Sequence, residues 1–243
     1  MRRASSITAL AVGIMLAVGS AAYAQGPTPT DRDVFGNIDI GGLTQTHSFS
    51  TTNTKTIFNE QATVKLNETV GSGFMWGIRA GYRWRPAFAF ALGIWGTKSN
   101  SESSIVATIP DPIVTGHPKT VTINGSGMHQ TDIGLDFQLV WMIPVSNRIL
   151  LTVSGGPTIL HVSQDVATVA VANGSQSVSP SSQNESKTTG KAGNVGVDAL
   201  YSLGSRYGLG AFVRYAGGTV DLPSVSGLSV GGVQVGGRLQ MWF

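Results

Sequence analysis

The last thirteen residues, GGVQVGGRLQMWF (Gly231–Phe243), alternate between apolar side chains and polar or small ones. One parity is apolar apart from one glycine, and it comprises Val233, Val235, Leu239, Met241 and Phe243. The other parity comprises Gln234, Gly236, Arg238, Gln240 and Trp242. Successive side chains of a β-strand point to opposite faces, so this period of two predicts a strand with one apolar face.

Seven further segments alternate in the same way, two of them at length. In FMWGIRAGYRWRP (Phe74–Pro86), large apolar residues share one parity, and arginine and glycine share most of the other. TDIGLDFQLVWMIP (Thr131–Pro144) repeats the pattern with aspartate and glycine. About ten residues are enough for a tilted strand to cross a bilayer. The other five segments start at Phe35, Phe88, Ile149, Asn194 and Tyr207.

The polar parity is unusual for a water-soluble sheet, whose outward face is rich in Lys, Glu and Thr. Here that parity holds mainly glycine, isolated aspartate and arginine, and almost no lysine. The chain of 243 residues contains 32 glycines and only 12% charged residues. Small residues and a few charges fit the interior of a narrow barrel, whereas large apolar residues fit a lipid-facing exterior. The sequence therefore predicts an all-β fold, a transmembrane antiparallel up-and-down β-barrel of about eight strands.

The N-terminus has the features of an export signal. A basic start, an apolar run over Ile7–Val18 and the small-x-small sequence Ala-Tyr-Ala predict a signal peptide over residues 1–24. Cleavage is expected between Ala24 and Gln25. Export and the lipid-facing parity together predict the outer membrane of a Gram-negative bacterium.

The predicted organisation of the mature chain is simple. Residues 25–33 form a short periplasmic segment and residues 34–243 form the barrel domain, with no periplasmic domain expected after it. The absence of cysteine excludes disulfides and thiolate sites. No clustered basic stretch occurs, so no nucleic-acid partner is expected.

Short and long connections alternate between the predicted strands. The short ones carry turn-forming residues, as in Arg85–Ala87 and Gly204–Arg206. Barrels of this class have short periplasmic turns and long extracellular loops, so the long connections are expected at the cell surface. Their β-branched residues predict that hairpins continue above the membrane. The long connections cover roughly residues 46–72, 98–129 and 164–191, with a brief fourth near 222–227.

The signal peptide, the eight segments and the ending VQVGGRLQMWF together resemble small outer-membrane β-barrel proteins of the opacity-protein and OmpX type. In that family, the assembly machinery recognises a last strand that ends in an aromatic residue. The resemblance implies outer-membrane lipids, lipopolysaccharide, the barrel-assembly machinery and periplasmic chaperones as partners. It also implies an assembly signal formed by Val235, Leu239, Met241 and Phe243.

Eight charged residues share the parity that is predicted to face the lumen. Opposite charges in a narrow barrel should pair, because an unpaired buried charge is costly. The pattern is compatible with a salt-bridged plug, which a barrel of about eight strands favours, and with a charge-selective conduit. The eight residues are Asp39, Arg79, Arg83, Asp132, Asp136, Asp198, Arg214 and Arg238.

One short motif raises the possibility of catalysis. The His-x-Ser pair in LHVSQD (Leu160–Asp165) resembles that of the lipid A deacylases, which are also small barrels. The resemblance implies Ser163 as nucleophile and His161 as base, with Glu185 available to orient the base. Gln164 stands where the deacylases carry Asn, and the bland alternative is two polar residues at the end of a strand.

The sequence predicts no metal and no cofactor. His47, His117 and His129 occur singly and lack metal-ligand spacing. No nucleotide-binding loop is recognisable.

Three functions are compatible with these patterns. The first is a non-enzymatic surface barrel for adhesion, binding of an unidentified extracellular ligand, or envelope integrity. The second is a narrow, porin-like channel for small or apolar solutes. The third is a lipid A-modifying enzyme that uses His161 and Ser163.

Overall fold

The computed structural model describes residues 32–44, 47–57, 60–111, 113–114, 116–171, 178–222 and 225–243. The predicted signal peptide and its cleavage site at Ala24 and Gln25 lie outside these ranges. No helix long and apolar enough to span a membrane is found in the described ranges. Nine β-strands occur in them: β1 (Val34–Leu43), β2 (His47–Ile57), β3 (Glu60–Arg85), β4 (Phe88–Ile109), β5 (Lys119–Pro144), β6 (Ile149–Val171), β7 (Val178–Ser202), β8 (Tyr207–Leu222) and β9 (Val225–Trp242).

The strands form one antiparallel ring. From β2 to β9 each strand pairs with the next along the chain, and β9 pairs with β1. The ring closes because β1 also pairs with β3, from Val34 opposite Tyr82 to Leu43 opposite Gly73. β2 continues along β3 above this point, with His47 opposite Val70. β1 and β2 thus occupy one wall position, and the predicted up-and-down barrel of about eight strands is confirmed.

Alternation places the two parities on opposite faces of the wall. On β9, Leu239 is exposed, as is Phe243 directly after the strand, whereas Arg238, Gln240 and Trp242 are buried in the lumen. The same division holds on the other wall strands. The outward face forms an apolar belt of exposed side chains that includes Ile38, Ile40, Phe74, Trp76, Ile78, Tyr82, Trp84, Phe90, Leu92, Ile94, Phe137, Leu139, Leu209 and Val213.

Glycines on the lumen face make room for large rings. A Cβ atom at Gly81 would overlap the ring of Phe35, and one at Gly134 would overlap the indole of Trp95. Both rings are buried. In a narrow barrel, a large side chain on one strand therefore requires a very small one on its neighbour.

Several strands are far longer than a bilayer requires. β3 and β5 each have 26 residues and β7 has 25, compared with the roughly ten needed to cross. Much of the predicted long connections is therefore paired strand, in the hairpins β2–β3, β4–β5 and β6–β7. The β-branched residues, from which hairpins are predicted in these segments, account for the pairing, because Val, Ile and Thr favour a pleated sheet. We refer to this part of β2–β7, beyond the apolar belt, as the upper sheet.

Candidate functional site

The lumen is filled in layers. One apolar cluster lies toward the short turns and comprises Phe35, Ala89, Ala91, Val140, Met142, Leu150, Leu200 and Trp242. A second lies toward the long hairpins and comprises Met75, Trp95, Leu160, Val162, Phe212, Ala216, Val220 and Val230. Six charged side chains, which we call the charged layer, are buried beside these clusters: Asp39, Asp136, Asp198, Arg79, Arg214 and Arg238.

Asp39 is the centre of the charged layer. Arg238 donates two hydrogen bonds to its carboxylate, from Nε to Oδ1 at 2.7 Å and from Nη2 to Oδ2 at 2.8 Å. Arg214 Nη2 donates to Oδ2 at 2.9 Å, and Arg79 Nη2 lies 3.8 Å from the same oxygen. A two-pronged guanidinium–carboxylate pair is among the stronger hydrogen-bonded arrangements in proteins. Only 2% of the Asp39 side chain is exposed, so water hardly screens these contacts.

The carboxylates of Asp198 and Asp136 face the Nη1 atoms of the same three arginines. Asp198 Oδ2 lies 2.5 Å from Arg238 Nη1 and 3.9 Å from Arg79 Nη1. Asp136 Oδ2 lies 4.0 Å from Arg214 Nη1. Three carboxylates therefore face three guanidinium groups, and the charged layer is neutral when all six are ionised.

Uncharged donors and a ring complete the layer. Thr152 donates to Asp198 at 2.7 Å, and Thr158 donates to Asp136 at 2.7 Å. The indole N–H of Trp95 donates to Asp136 Oδ1 at 3.0 Å. The guanidinium carbons of Arg214 and Arg238 lie 5.3 and 5.6 Å from the ring centre of Phe212. Hydrogen bonds and two cation–π contacts thus restrict the motion of Arg214, Arg238 and the three carboxylates, and Arg79 is held by its ion pairs with Asp39 and Asp198.

Two of the eight predicted residues lie apart from the charged layer. Asp132 accepts hydrogen bonds from Thr97 at 3.2 Å and Gln130 at 2.8 Å. Arg83 lies 3.8 Å from Asp33, whose side chain is 61% exposed, near the short turns. Parity identified residues that face inward, but it did not show which of them lie at the same height.

A buried carboxyl group that sequence reasoning missed lies in the upper sheet. Glu68 is fully buried, and Gln164 Nε2 donates to its Oε1 at 2.6 Å from across the lumen. Its position, six residues beyond Phe74, is outside the apolar belt. Burial raises the pKa of Glu68 and the negative charge of Asp165 adds to this, while the hydrogen bond from Gln164 opposes the shift. A signal was present, because Glu68 shares its parity with Ala62, Val64, Leu66 and Val70.

The His-x-Ser pair lies on the outer side of β6. His161 is exposed, and its Nδ1 lies 3.0 Å from the hydroxyl oxygen of Thr189 on β7. A hydroxyl group is therefore the observed partner of this nitrogen. Glu185 pairs with Asp165 in the β6–β7 register, and its side chain lies outside what the structure describes. In the described ranges, no group of three or more His, Asp or Glu side chains is placed to hold a metal ion.

No protein-family model and no curated protein sequence matches the chain. Among solved structures, neisserial surface protein A (NspA) is similar at 12% identity and a TM-score of 0.48, over 86% of this chain and 97% of that one. The outer membrane protein OprG from Pseudomonas aeruginosa has 10% identity and a TM-score of 0.40, over 88% and 96%. The N-terminal β-barrel domain of Pseudomonas aeruginosa OprF has 11% identity and a TM-score of 0.35, over 87% and 98%.

Replacing Asp39 by Asn is expected to destabilise the barrel by about 3–5 kcal/mol, because Arg214 and Arg238 would lose their shared counter-charge while staying buried. Asp33→Asn is the matched control, since Asp33 is an exposed partner of an arginine and should contribute about 0–1 kcal/mol. Urea unfolding midpoints of the two variants in lipid vesicles measure the difference.

Equal midpoints for the two variants would contradict a stabilising role for the charged layer. Planar-bilayer recordings of the same proteins separate a plug from a conduit. The plug predicts no steady current for the unmodified protein. A steady current that Asp39→Asn alters would favour the channel.

Glu68 should make the upper sheet more stable in mild acid. An acid whose pKa is raised on folding binds its proton more tightly in the folded state, so the stabilising contribution is complete below its ordinary value of about 4.5. That contribution is lost as the pH rises through the raised pKa. Urea midpoints measured from acidic to neutral pH should therefore fall, and Glu68→Gln should flatten the fall. Glu102→Gln, on the exposed face of β4, should leave the slope unchanged.

Proposed function

We propose that this chain is an integral outer-membrane β-barrel whose lumen is plugged and whose upper sheet works at the cell surface, in adhesion, ligand binding or envelope integrity, without enzymatic activity. The observation that carries the proposal is the contrast between the outward and inward faces of the barrel wall. The outward face of a closed ring is apolar and exposed, while the inward face buries a neutral set of charges.

The apolar belt supports a membrane location. Ile40, Phe90 and Leu209 are each at least 55% exposed, and many large neighbours are similar. Exposed apolar area costs roughly 25 cal/mol per Å² in water, whereas lipid acyl chains remove that cost. Closure of the ring also pairs the backbone N–H and C=O groups at the strand edges within the belt. This pairing is required in a membrane, because hydrocarbon offers these groups no hydrogen-bond partner. A water-soluble barrel would need to cover this surface.

Aromatic residues mark both edges of the belt. Near the short turns, the rings of Trp84 and Phe90 stack at a centroid distance of 5.6 Å, and Tyr201 and Tyr207 lie on the same rim. Phe74 lies toward the long hairpins. Aromatic side chains are enriched where a membrane meets water, so the belt has the expected limits.

The filled lumen favours a surface role over conduction. Trp95 and Phe212 are buried in the apolar cluster on the long-hairpin side of the charged layer, and Arg79, Arg214 and Arg238 are each at most 3% exposed. An eight-stranded barrel leaves little interior space beyond its side chains. The narrow channel is the alternative, and the bilayer recordings described above discriminate between the two.

The upper sheet offers a polar surface for recognition. On β2, one parity consists of exposed hydroxyl residues: Ser48, Ser50, Thr52, Thr54 and Thr56. Alternate residues of a strand are about 6.6–6.8 Å apart, so these side chains form a regular row. A row of hydroxyl groups can exchange hydrogen bonds with a polar ligand or with the lipopolysaccharide layer.

Cysteine labelling tests the location and orientation of the barrel. The chain has no cysteine, so Ser50→Cys and Gly204→Cys each introduce a single thiol. Gly204 lies in the β7–β8 turn and has no neighbour within 4 Å of an added Cβ, so the substitution fits. A membrane-impermeant maleimide should label Ser50→Cys on intact cells and label Gly204→Cys only after the outer membrane is opened.

The reverse labelling pattern would show that the orientation is inverted. Recovery of the protein in the soluble periplasmic fraction would refute the membrane assignment altogether. Unboiled and boiled samples should also migrate differently in detergent gels, because a folded barrel resists the detergent until it is heated.

We further propose that Val235, Leu239, Met241 and Phe243 form the signal for the barrel-assembly machinery after passage with periplasmic chaperones. Val235, Leu239 and Met241 lie on the outward parity of β9, and Phe243 continues that parity one residue beyond the strand. Phe243 is 63% exposed, and its N–H donates to the Val34 carbonyl at 2.9 Å. The four residues therefore lie along and just beyond the strand that closes the ring.

Deleting Phe243 should reduce outer-membrane levels while leaving export intact, so the truncated chain should collect in the periplasm. Phe137→Ala is the matched control, since it removes another lipid-facing phenylalanine from the middle of a strand. Quantitative fractionation of the two variants measures the outcome. Equal loss from the outer membrane in both would indicate general destabilisation rather than a terminal signal.

A further inference from the structure

Basic residues are sorted by type along the barrel axis. Five described arginines lie at the short-turn end, which we call the arginine rim: Arg32, Arg83, Arg85, Arg148 and Arg206. The other described arginines belong to the charged layer. All six lysines lie toward the long hairpins: Lys55, Lys65, Lys98, Lys119, Lys187 and Lys191. Among the described residues around the arginine rim, the carboxylate belongs to Asp33, which lies beside Arg83.

Two rim arginines are held against the outward aromatic residues. The guanidinium carbon of Arg85 lies 5.2 Å from the ring centre of Trp84. Arg148 Nη1 donates to the hydroxyl oxygen of Tyr201 at 3.1 Å. Trp84 and Tyr201 are each close to half exposed on the lipid-facing side. Both guanidinium groups are therefore positioned at the edge of the apolar belt and not in the lumen.

A surface pocket of about 470 Å³ lies between the β5–β6 and β7–β8 turns. Its polar lining includes Asn147, Arg148, Ser202 and Ser205, and Leu203 contributes an apolar wall. Leu203 is 64% exposed, so this wall continues the lipid-facing surface. The pocket thus combines hydrogen-bond donors, one positive charge and an apolar edge, and its lining contains no carboxylate.

We propose that this pocket binds the headgroup of an anionic phospholipid, with Arg148 contacting the phosphate. The planar guanidinium group presents paired N–H donors that match phosphate oxygens, and the Tyr201 contact restricts its position. The apolar edge fits the start of the acyl chains, which selects a lipid over a free phosphate. A zwitterionic headgroup is disfavoured, because its ammonium group would meet no carboxylate. The proposal rests on the proposed function, since it places this rim in a bilayer leaflet.

Native mass spectrometry of the folded full-length protein tests the proposal. The probes are phosphatidylglycerol and phosphatidylethanolamine with identical acyl chains, and glycerol phosphate serves as a soluble competitor. The protein should retain phosphatidylglycerol preferentially, and glycerol phosphate should not displace it. Arg148→Gln should weaken retention by about tenfold, the change that follows from losing one charge-assisted hydrogen bond. Arg148→Lys keeps the positive charge but lacks the paired N–H donors. Its retention of phosphatidylglycerol should lie between that of the unmodified protein and that of Arg148→Gln.

Lys98→Gln is the matched control, because it removes one positive charge from the opposite end of the barrel. Unchanged lipid retention in this variant would support a local site. Equal losses in Lys98→Gln and Arg148→Gln would overturn the proposal in favour of diffuse attraction. Displacement by glycerol phosphate would overturn the choice of a lipid, and equal retention of the two lipids would overturn the selectivity.

Insertion is measured separately from lipid selectivity. Resistance of the vesicle-bound protein to extraction with urea, together with the heat-dependent gel shift, reports whether the barrel inserts. Failure to insert would refute the proposed function and this site with it. Insertion without a preference for phosphatidylglycerol would refute the lipid site alone.

Discussion

The pair between Asp39 and Arg238 joins the first and last wall strands. The two residues are direct partners in the β1–β9 register and are 199 positions apart in the chain. Their pairing therefore forms only when the ring has closed. Arg214 from β8 and Arg79 from β3 reach the same carboxylate, so one buried group connects four wall strands. Because an open ring would leave these charges without partners, the charged layer stabilises closure specifically.

Closure around buried charges sets the remaining composition of the lumen. Trp95 and Phe212 exclude water from the charged layer, and their size requires small residues nearby, as at Gly134 beside the Trp95 indole. Low water content strengthens each ion pair, but it also requires that the charges balance. The inward face is therefore rich in glycine, and the charged layer contains as many aspartates as arginines. Both features follow from the same narrow interior.

The sequence predicted the fold because alternation is a local property, and parity assigned residues such as Arg238 and Leu239 to the correct faces. It could not predict relative height, which depends on the stagger between strands; Asp132 and Arg83 face inward but lie away from Asp39. Glu68 was missed because a register shift in β3 between Val70 and Gly73 exchanges the parities. Beyond that shift, even-numbered residues face the lumen, and a segment that the sequence predicts as a long connection contains a buried carboxyl group.

Because the charged layer is neutral and buried, the proposed function places recognition at the two rims. The charged layer cancels its own charge, so it provides little field along the barrel axis to guide an ion. The chemistry of the rims differs instead: exposed arginine beside aromatic rings at the short turns, and hydroxyl groups, lysine and carboxylates on the upper sheet. Arginine binds phosphate through fixed paired donors, whereas hydroxyl rows suit polar, uncharged or mixed partners. The two ends of the barrel therefore differ in chemistry, as the proposed function requires of ends that face different surroundings.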